Sequence, residues 1–171
     1  PVVASYRGSL LTADVVRDLT TEEPSVGEWL AFGRGPEAGD RVPYQPFGAL
    51  AQPAWSSSLV EGDRHVLLLF DGLAATPEGY TNLRAIAADI RARHGDDVRV
   101  RIVVPVAETP PALADEVDVI HDPGAALHHT FAASAECAYV LRPDGYIAFR
   151  AQPAHALAIA DYLDHVLVAR R

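Results

Sequence analysis

The chain has 171 residues, of which 49% are hydrophobic and 22% charged, which fits one globular domain and excludes a mostly disordered protein. The formal net charge is −9 and all 14 cations are arginine, so the chain lacks the basic surface of a nucleic-acid-binding protein. No apolar run approaches the roughly 18 residues of a membrane-spanning helix, and the acidic balance favours a cytoplasmic protein. The single cysteine excludes an internal disulfide and any paired-cysteine redox or zinc motif.

Residues 1–61 are predicted to form an irregular linker segment. Proline and glycine recur throughout it, and residues 14–19 alone suggest a turn of helix. Residues 33–39 superficially resemble a glycine-rich phosphate loop, but no strand precedes them and Pro36 interrupts them, so we expect no nucleotide site there. The chain starts at Pro1, contains no methionine and shows no leader-like segment, which favours a fragment of a longer polypeptide.

A strand–helix–strand unit follows. Residues 65–70 are continuously apolar, which is typical of a strand buried on both faces. Residues 77–94 carry the signals of a helix: Thr76 as N-cap, proline in the first turn, helical spacing of apolar residues and Gly95 at the end. Residues 98–104 alternate as a second strand, so we expect the two strands to be parallel.

The remaining pattern predicts a hairpin between helices. Its elements are a weak strand or an extended loop at 117–120, a short helix at 123–133, strands at 138–142 and 146–150 around a turn at 143–145, and a helix at 154–168. A parallel pair joined to an antiparallel hairpin, with helices on both faces, favours an α/β fold of the thioredoxin-like class. We expect this fold over residues 62–171, with a central mixed sheet and an irregular N-terminal extension.

Thiol chemistry is not favoured by the position of the cysteine. Thioredoxins and peroxiredoxins carry the reactive cysteine at the start of the helix that follows the first strand, where the helix dipole lowers the thiol pKa. Residues 71–77 hold no cysteine, and Cys137 lies at the hairpin, where a buried structural cysteine is the commoner case. A degenerate thiol peroxidase that uses Cys137 is kept as an alternative.

The sequence also contains residues suited to a metal site and to a serine hydrolase triad. His121, Asp122, His128 and His129 are suitable metal ligands, but adjacent histidines on a helix point about 100° apart. Asp122 fits better as the cap of the following helix, so no metal site is predicted. The serines at 56–58 lack the glycines of a nucleophile elbow, so no hydrolase triad is expected.

Three segments together resemble one known family. They are Tyr6-Arg7-Gly8-Ser9, then residues 38–44 with Gly39, Asp40, Arg41 and Pro43, then residues 140–150 with Arg142, Pro143, Asp144, Gly145 and Arg150. In this order they resemble the C-terminal region of the FAD-dependent aromatic hydroxylases, which include phenol hydroxylase, hydroxyphenylpropionate hydroxylase and the aromatic polyketide hydroxylases. The third segment is the most specific. From the residues alone, Arg142, Asp144 and Arg150 are predicted to form an ion pair across the hairpin.

The resemblance implies a thioredoxin-like domain without paired cysteines, and no catalytic, cofactor-binding or metal-binding residue is carried over to this chain. FAD and NAD(P)H would be bound by N-terminal domains of a parent monooxygenase, and those domains would be the partners of this one. The implied role is to stabilise the parent enzyme or its subunit contacts. The resemblance therefore also allows a homo-oligomer of the parent. A free-standing interaction module is the alternative from another class.

Overall fold

The computed structural model describes residues 12–16, 31–43, 59–60 and 62–168. Its six strands form one mixed sheet in the order β1-β6-β5-β2-β3-β4. The strands are β1 Ala13–Val16, β2 His65–Gly72, β3 Val98–Val104, β4 Val119–His121, β5 Ala135–Leu141 and β6 Ile147–Gln152. The helices are α1 Pro77–His94, α2 Ala126–Thr130 and α3 Ala156–Val168, with a 3-10 turn at Pro111–Leu113.

The predicted strand–helix–strand unit is confirmed. β2 is buried along almost its whole length and pairs in parallel with β3 and antiparallel with β5, so it forms the centre of the sheet. α1 begins where expected, because the Thr76 hydroxyl accepts a hydrogen bond from the Gly79 amide at 2.9 Å. It ends at His94, where the Gly95 amide donates to the Arg91 carbonyl.

The predicted hairpin is also confirmed. The Gly145 amide donates to the Arg142 carbonyl at 3.0 Å, and the Arg142 amide donates to the Tyr146 carbonyl at 2.8 Å. Gly145 has a φ of +83°, a left-handed conformation that favours glycine. The hairpin strands begin and end a few residues away from the predicted limits, as is usual for element ends.

Each face of the sheet is covered by its own apolar core. On one face, α1 and α3 pack against residues of every long strand, with Phe149 and Tyr162 in ring contact at 4.9 Å. On the other face, Phe32, Phe70, Phe131 and Tyr139 form a cluster of ring contacts. Such full burial of large apolar side chains on both faces is the main source of stability for the fold.

The helical turn predicted at residues 14–19 was wrong. Ala13–Val16 is instead the edge strand β1, which pairs in parallel with the end of β6, and residues 17–19 lie outside the described residues. The hydrogen bonds of a neighbouring strand override weak local preference for helix in so short a segment. Phe32 is also completely buried, so the linker segment does not run wholly over the surface. The boundary at residue 62 stays a prediction.

The predicted ion pair across the hairpin is correct for Arg142 and Asp144 and wrong for Arg150. Arg142 pairs with Asp144 at the exposed turn. Arg150 lies on the same face as Tyr139, is 4% exposed, and pairs with Asp14 at 2.6 Å. Its guanidinium also donates to the carbonyls of Phe32 and Pro36, at 3.0 and 3.1 Å.

Two of the three segments that carry the family resemblance lie side by side. The Gly39 amide donates to the Ile147 carbonyl at 2.7 Å, and the Ile147 amide donates to the Asp40 carbonyl at 2.8 Å. Arg41 forms an antiparallel bridge with Tyr146. Residues 38–43 therefore continue the sheet at the hairpin, whereas Tyr6-Arg7-Gly8-Ser9 lies outside the described residues.

We predict that Arg150→Met lowers the free energy of unfolding by about 3 kcal/mol, because it removes the buried charged donor that Asp14 and the carbonyls of Phe32 and Pro36 share. The matched control is Asp144→Asn, which breaks an exposed ion pair and should change stability by less than about 0.5 kcal/mol. Urea unfolding followed by tryptophan fluorescence measures both. Equal losses for the two variants would contradict the assigned importance of Arg150.

Candidate functional site

The N-terminus of α1 is the position where thiol enzymes of this fold carry their reactive cysteine. Here residues 73–76 connect β2 to α1 without a cysteine. Asp71, near the end of β2, instead folds back over the helix start, and its Oδ2 accepts a hydrogen bond from the Thr76 amide at 2.6 Å. The first turn of the helix is therefore organised by a carboxylate and a hydroxyl.

Gly79 explains how the carboxylate fits. A Cβ atom at this position would lie 1.8 Å from Oδ1 of Asp71, so the space of the missing side chain is filled by that carboxyl group. Burial raises the pKa of Asp71, although the hydrogen bond from Thr76 opposes the shift. Burial also raises the pKa of Tyr80, and the nearby charge of Asp71 adds to that shift.

An apolar groove opens beside this helix start, and we call it the α1 groove. Its volume is about 370 Å³. It is lined by Leu73, Ala75, Thr76, Pro77, Tyr80, Pro105, Val106, Pro110, Pro111 and Ala112. These residues come from the loops that follow the carboxyl ends of β2 and β3 and from the first turn of α1, the usual position of binding sites in open α/β sheets.

Side chains of neighbouring elements hold the far wall of the α1 groove in place. The ring of His121 hydrogen-bonds to the Val106 carbonyl through Nδ1 and to the Thr109 hydroxyl through Nε2, each at 3.2 Å. Arg84 of α1 donates to the Ala112 carbonyl at 3.2 Å. These contacts within the chain fix the position of the wall, which lowers the entropic cost of binding a ligand.

Cys137 is a buried residue of the central sheet. It is in the middle of the sheet on β5, opposite Phe70 of β2, and is completely buried. Burial raises the pKa of its thiol well above the ordinary value. The expectation of a buried structural cysteine fits this position, and the thiolate needed for peroxide chemistry is disfavoured.

Asp122, which follows β4, and His128 of α2 contact each other. α2 is shorter than the helix predicted at 123–133, and its N-cap position is Ala125, not Asp122. Asp122 still binds the start of α2, because its Oδ2 accepts from the His128 amide at 3.0 Å and contacts Nδ1 of the His128 ring at 2.7 Å. Burial raises the pKa of Asp122, but the hydrogen bonds from His128 and from the Leu127 amide outweigh it, so the pKa lies below its ordinary value. In the described part of the chain, no three potential ligands gather as a metal site would require.

The glycine-rich loop does not form a phosphate cradle. A Cβ atom on Gly35 would lie 2.8 Å from Cβ of Ala132 and 3.3 Å from the carbonyl oxygen of Phe131. The loop is therefore packed against the body of the protein and does not open toward an anion. None of the described helices is long and apolar enough to cross a bilayer.

The α1 groove was missed by sequence reasoning, which considered this region for a cysteine alone. A signal was present: Leu73, Val106 and the pair Pro110-Pro111 place apolar residues in loops that should be polar. The family-motif residues gather instead at the hairpin, where Gly39, Asp40 and Arg41 adjoin residues 145–147. Pro43 is placed at the end of that segment, with Pro143 in the turn itself.

Comparison with known proteins agrees with the fold. No protein-family model and no curated protein matches the chain. Among solved structures, a protein described as a thiol:disulfide interchange protein DsbE from Chlorobium tepidum is 18% identical with a TM-score of 0.56, over 78% of this chain and 99% of that one. A thioredoxin-like protein from Parabacteroides distasonis is 16% identical with a TM-score of 0.52, over 76% and 96%.

A third solved structure differs in how much of each chain the match covers. The flavin-dependent monooxygenase PieE, in complex with FAD and substrate, is 23% identical with a TM-score of 0.54. The match covers 98% of this chain but 25% of the PieE chain, so this chain corresponds in length to a small part of that protein. These likenesses and the observed sheet define a thioredoxin-like α/β protein, which confirms the predicted fold class.

We predict that Gly79→Ala destabilises the protein by about 1 kcal/mol, although alanine is the better helix former, because Asp71 must leave its place and lose the Thr76 amide. In an Asp71→Ala background the same substitution should be neutral or stabilising by about 0.5 kcal/mol. A double-mutant cycle from urea unfolding measures this coupling. Additive effects would show that Asp71 does not fill the space above Gly79.

We predict that Asp122 contributes to the acid sensitivity of the fold. Because its pKa is lower in the folded protein than the ordinary 3.8, its contribution to stability is present above that value and is lost as pH falls through the folded-state pKa. Asp122→Asn should therefore give a shallower fall of the unfolding free energy below about pH 4. Parallel acid slopes for the two proteins would refute this assignment.

We predict that the thiol of Cys137 is inert in the native protein. DTNB at about pH 8 should label it less than a tenth as fast as it labels the guanidinium-unfolded chain, because the thiol is buried and protonated. The native protein should also consume no peroxide above the rate of Cys137→Ser. Rapid native labelling together with peroxide consumption that disappears in Cys137→Ser would establish the thiol peroxidase instead.

Proposed function

We propose that this chain is the non-catalytic C-terminal domain of a flavin-dependent aromatic-ring monooxygenase. The observation that carries the proposal is the extent of the similarity to PieE, which includes almost the whole chain and a quarter of the other protein. The thioredoxin-like neighbours, in contrast, match 76–78% of the chain. A thioredoxin-like domain within a larger enzyme accounts for the coverage of the PieE match and for that of the thioredoxin-like matches.

The contacts of the N-terminal segment support the same proposal. Residues 38–43 resemble the hydroxylase segment that leads into the thioredoxin-like domain, and they pair with the hairpin that carries Arg142 to Gly145. Arg150, from the same resemblance, binds Asp14 and the carbonyls of residues 32 and 36. Residues that resemble the family in sequence thus hold the segment against the domain.

The described residues do not fit FAD or NAD(P)H as ligands of this chain. The loop at Gly35 is packed against Ala132. Glu78 and Glu108 are exposed and lie within two residues of Pro77 and Val106, which line the α1 groove, so their charges disfavour a pyrophosphate there. In the parent enzyme these cofactors would supply the reducing electrons and oxygen activation for ring hydroxylation, bound by other domains. The role proposed for this chain is to stabilise the parent or its subunit contacts.

The test begins with the reading frame upstream of Pro1. We expect a continuous frame that encodes a GxGxxG dinucleotide-binding motif, and a purified parent protein that retains FAD through gel filtration. The isolated 171-residue chain should elute without flavin absorbance, and deletion of it from the parent should lower the melting temperature. A start codon close to Pro1, or flavin that co-elutes with the isolated chain, would contradict the proposal.

A further inference from the structure

The α1 groove exposes apolar surface that the fold itself does not cover. Leu73 is 43% exposed and Val106 is 40% exposed, and both lie on its walls. Among the described residues, the other exposed large hydrophobic side chains are Val117 and Leu157, which are more exposed and do not line the groove. A contiguous apolar surface with a preformed shape is typical of a docking site.

The edge of the α1 groove carries negative charge. Glu78 lies in the first turn of α1 beside Pro77, and Glu108 lies in the opposite loop between Val106 and Pro110. Both are exposed, and neither has an ion pair or a hydrogen bond within the described part of the chain. Arg84 donates to the Ala112 carbonyl in the same wall and keeps its positive charge, so the two carboxylates outnumber it. The groove therefore complements apolar side chains that are flanked by positive charge.

The two faces of the sheet are already covered, which leaves the end of the sheet for a partner. α1 and α3 pack on one face, and residues 31–43 and α2 on the other. The α1 groove lies beyond the carboxyl ends of β2 and β3, where none of these described layers is among its lining residues except the first turn of α1. In the match with PieE, the larger part of that chain lies outside the matched region and would be available to reach it.

We propose that the α1 groove docks an apolar segment flanked by arginine or lysine, supplied by the FAD- and substrate-binding part of the same polypeptide. This inference rests on the proposed function. Because both partners belong to one chain, their effective concentration is high, so even a groove of about 370 Å³ contributes to holding them together. The groove thus keeps the location of a thioredoxin-type active site but serves attachment in place of thiol exchange.

Cysteine footprinting tests the proposal, because the native Cys137 is buried and should stay silent. Val106→Cys would be introduced into both the isolated chain and the full parent, with Val117→Cys as the matched control on the amino-terminal side of β4. We expect maleimide to label Val106→Cys at least about tenfold more slowly in the parent than in the isolated chain, and Val117→Cys at similar rates in both. Glu78→Arg combined with Glu108→Arg should restore rapid labelling of Val106→Cys in the parent.

Each outcome has one meaning. Equal labelling of Val106→Cys in both proteins, or protection no greater than that of Val117→Cys, would overturn the docking proposal and leave the proposed function intact. Protection that survives the double charge reversal would overturn the requirement for basic flanks. An upstream frame without a flavin-binding domain would overturn the proposed function, and the docking proposal with it.

Discussion

The position of the N-terminal segment depends on one buried positive charge. Arg150 is 4% exposed in the strand β6, and a guanidinium removed from water needs a full set of acceptors. Its acceptors include groups more than a hundred positions earlier in the chain: the Asp14 carboxylate and the carbonyls of Phe32 and Pro36. The guanidinium also lies 5.0 Å from the centre of the Phe32 ring. The N-terminal segment is thereby held against the sheet.

This constraint connects the extension to the rest of the fold. With Asp14 bound, β1 lies beside β6, and residues 38–43 continue along the hairpin through backbone hydrogen bonds. Phe32 completes the aromatic cluster around Tyr139, whose hydroxyl donates to the Phe131 carbonyl. The described parts of the N-terminal segment therefore belong to the packed structure of the domain.

Local signals explain what could be predicted from the sequence. The helix α1 has its N-cap, first-turn proline and final glycine within one segment, and the hairpin has its turn in three consecutive residues. β1 and the partners of Arg150 could not be predicted in this way, because Asp14 and Arg150 are 136 positions apart and neither has a local pattern. The α1 groove is formed by three separate segments, and its apolar loops gave the one signal that was available.

The carboxyl group that fills the space above Gly79 also limits which residues this position accepts. The Cβ atom of any other residue would lie 1.8 Å from Oδ1 of Asp71, so the carboxyl group would have to move. The displaced carboxylate would no longer accept from the Thr76 amide, and the first turn of α1 would lose that hydrogen bond. Position 79 therefore favours the residue without a side chain, although it lies in a helix where alanine is otherwise the better helix former.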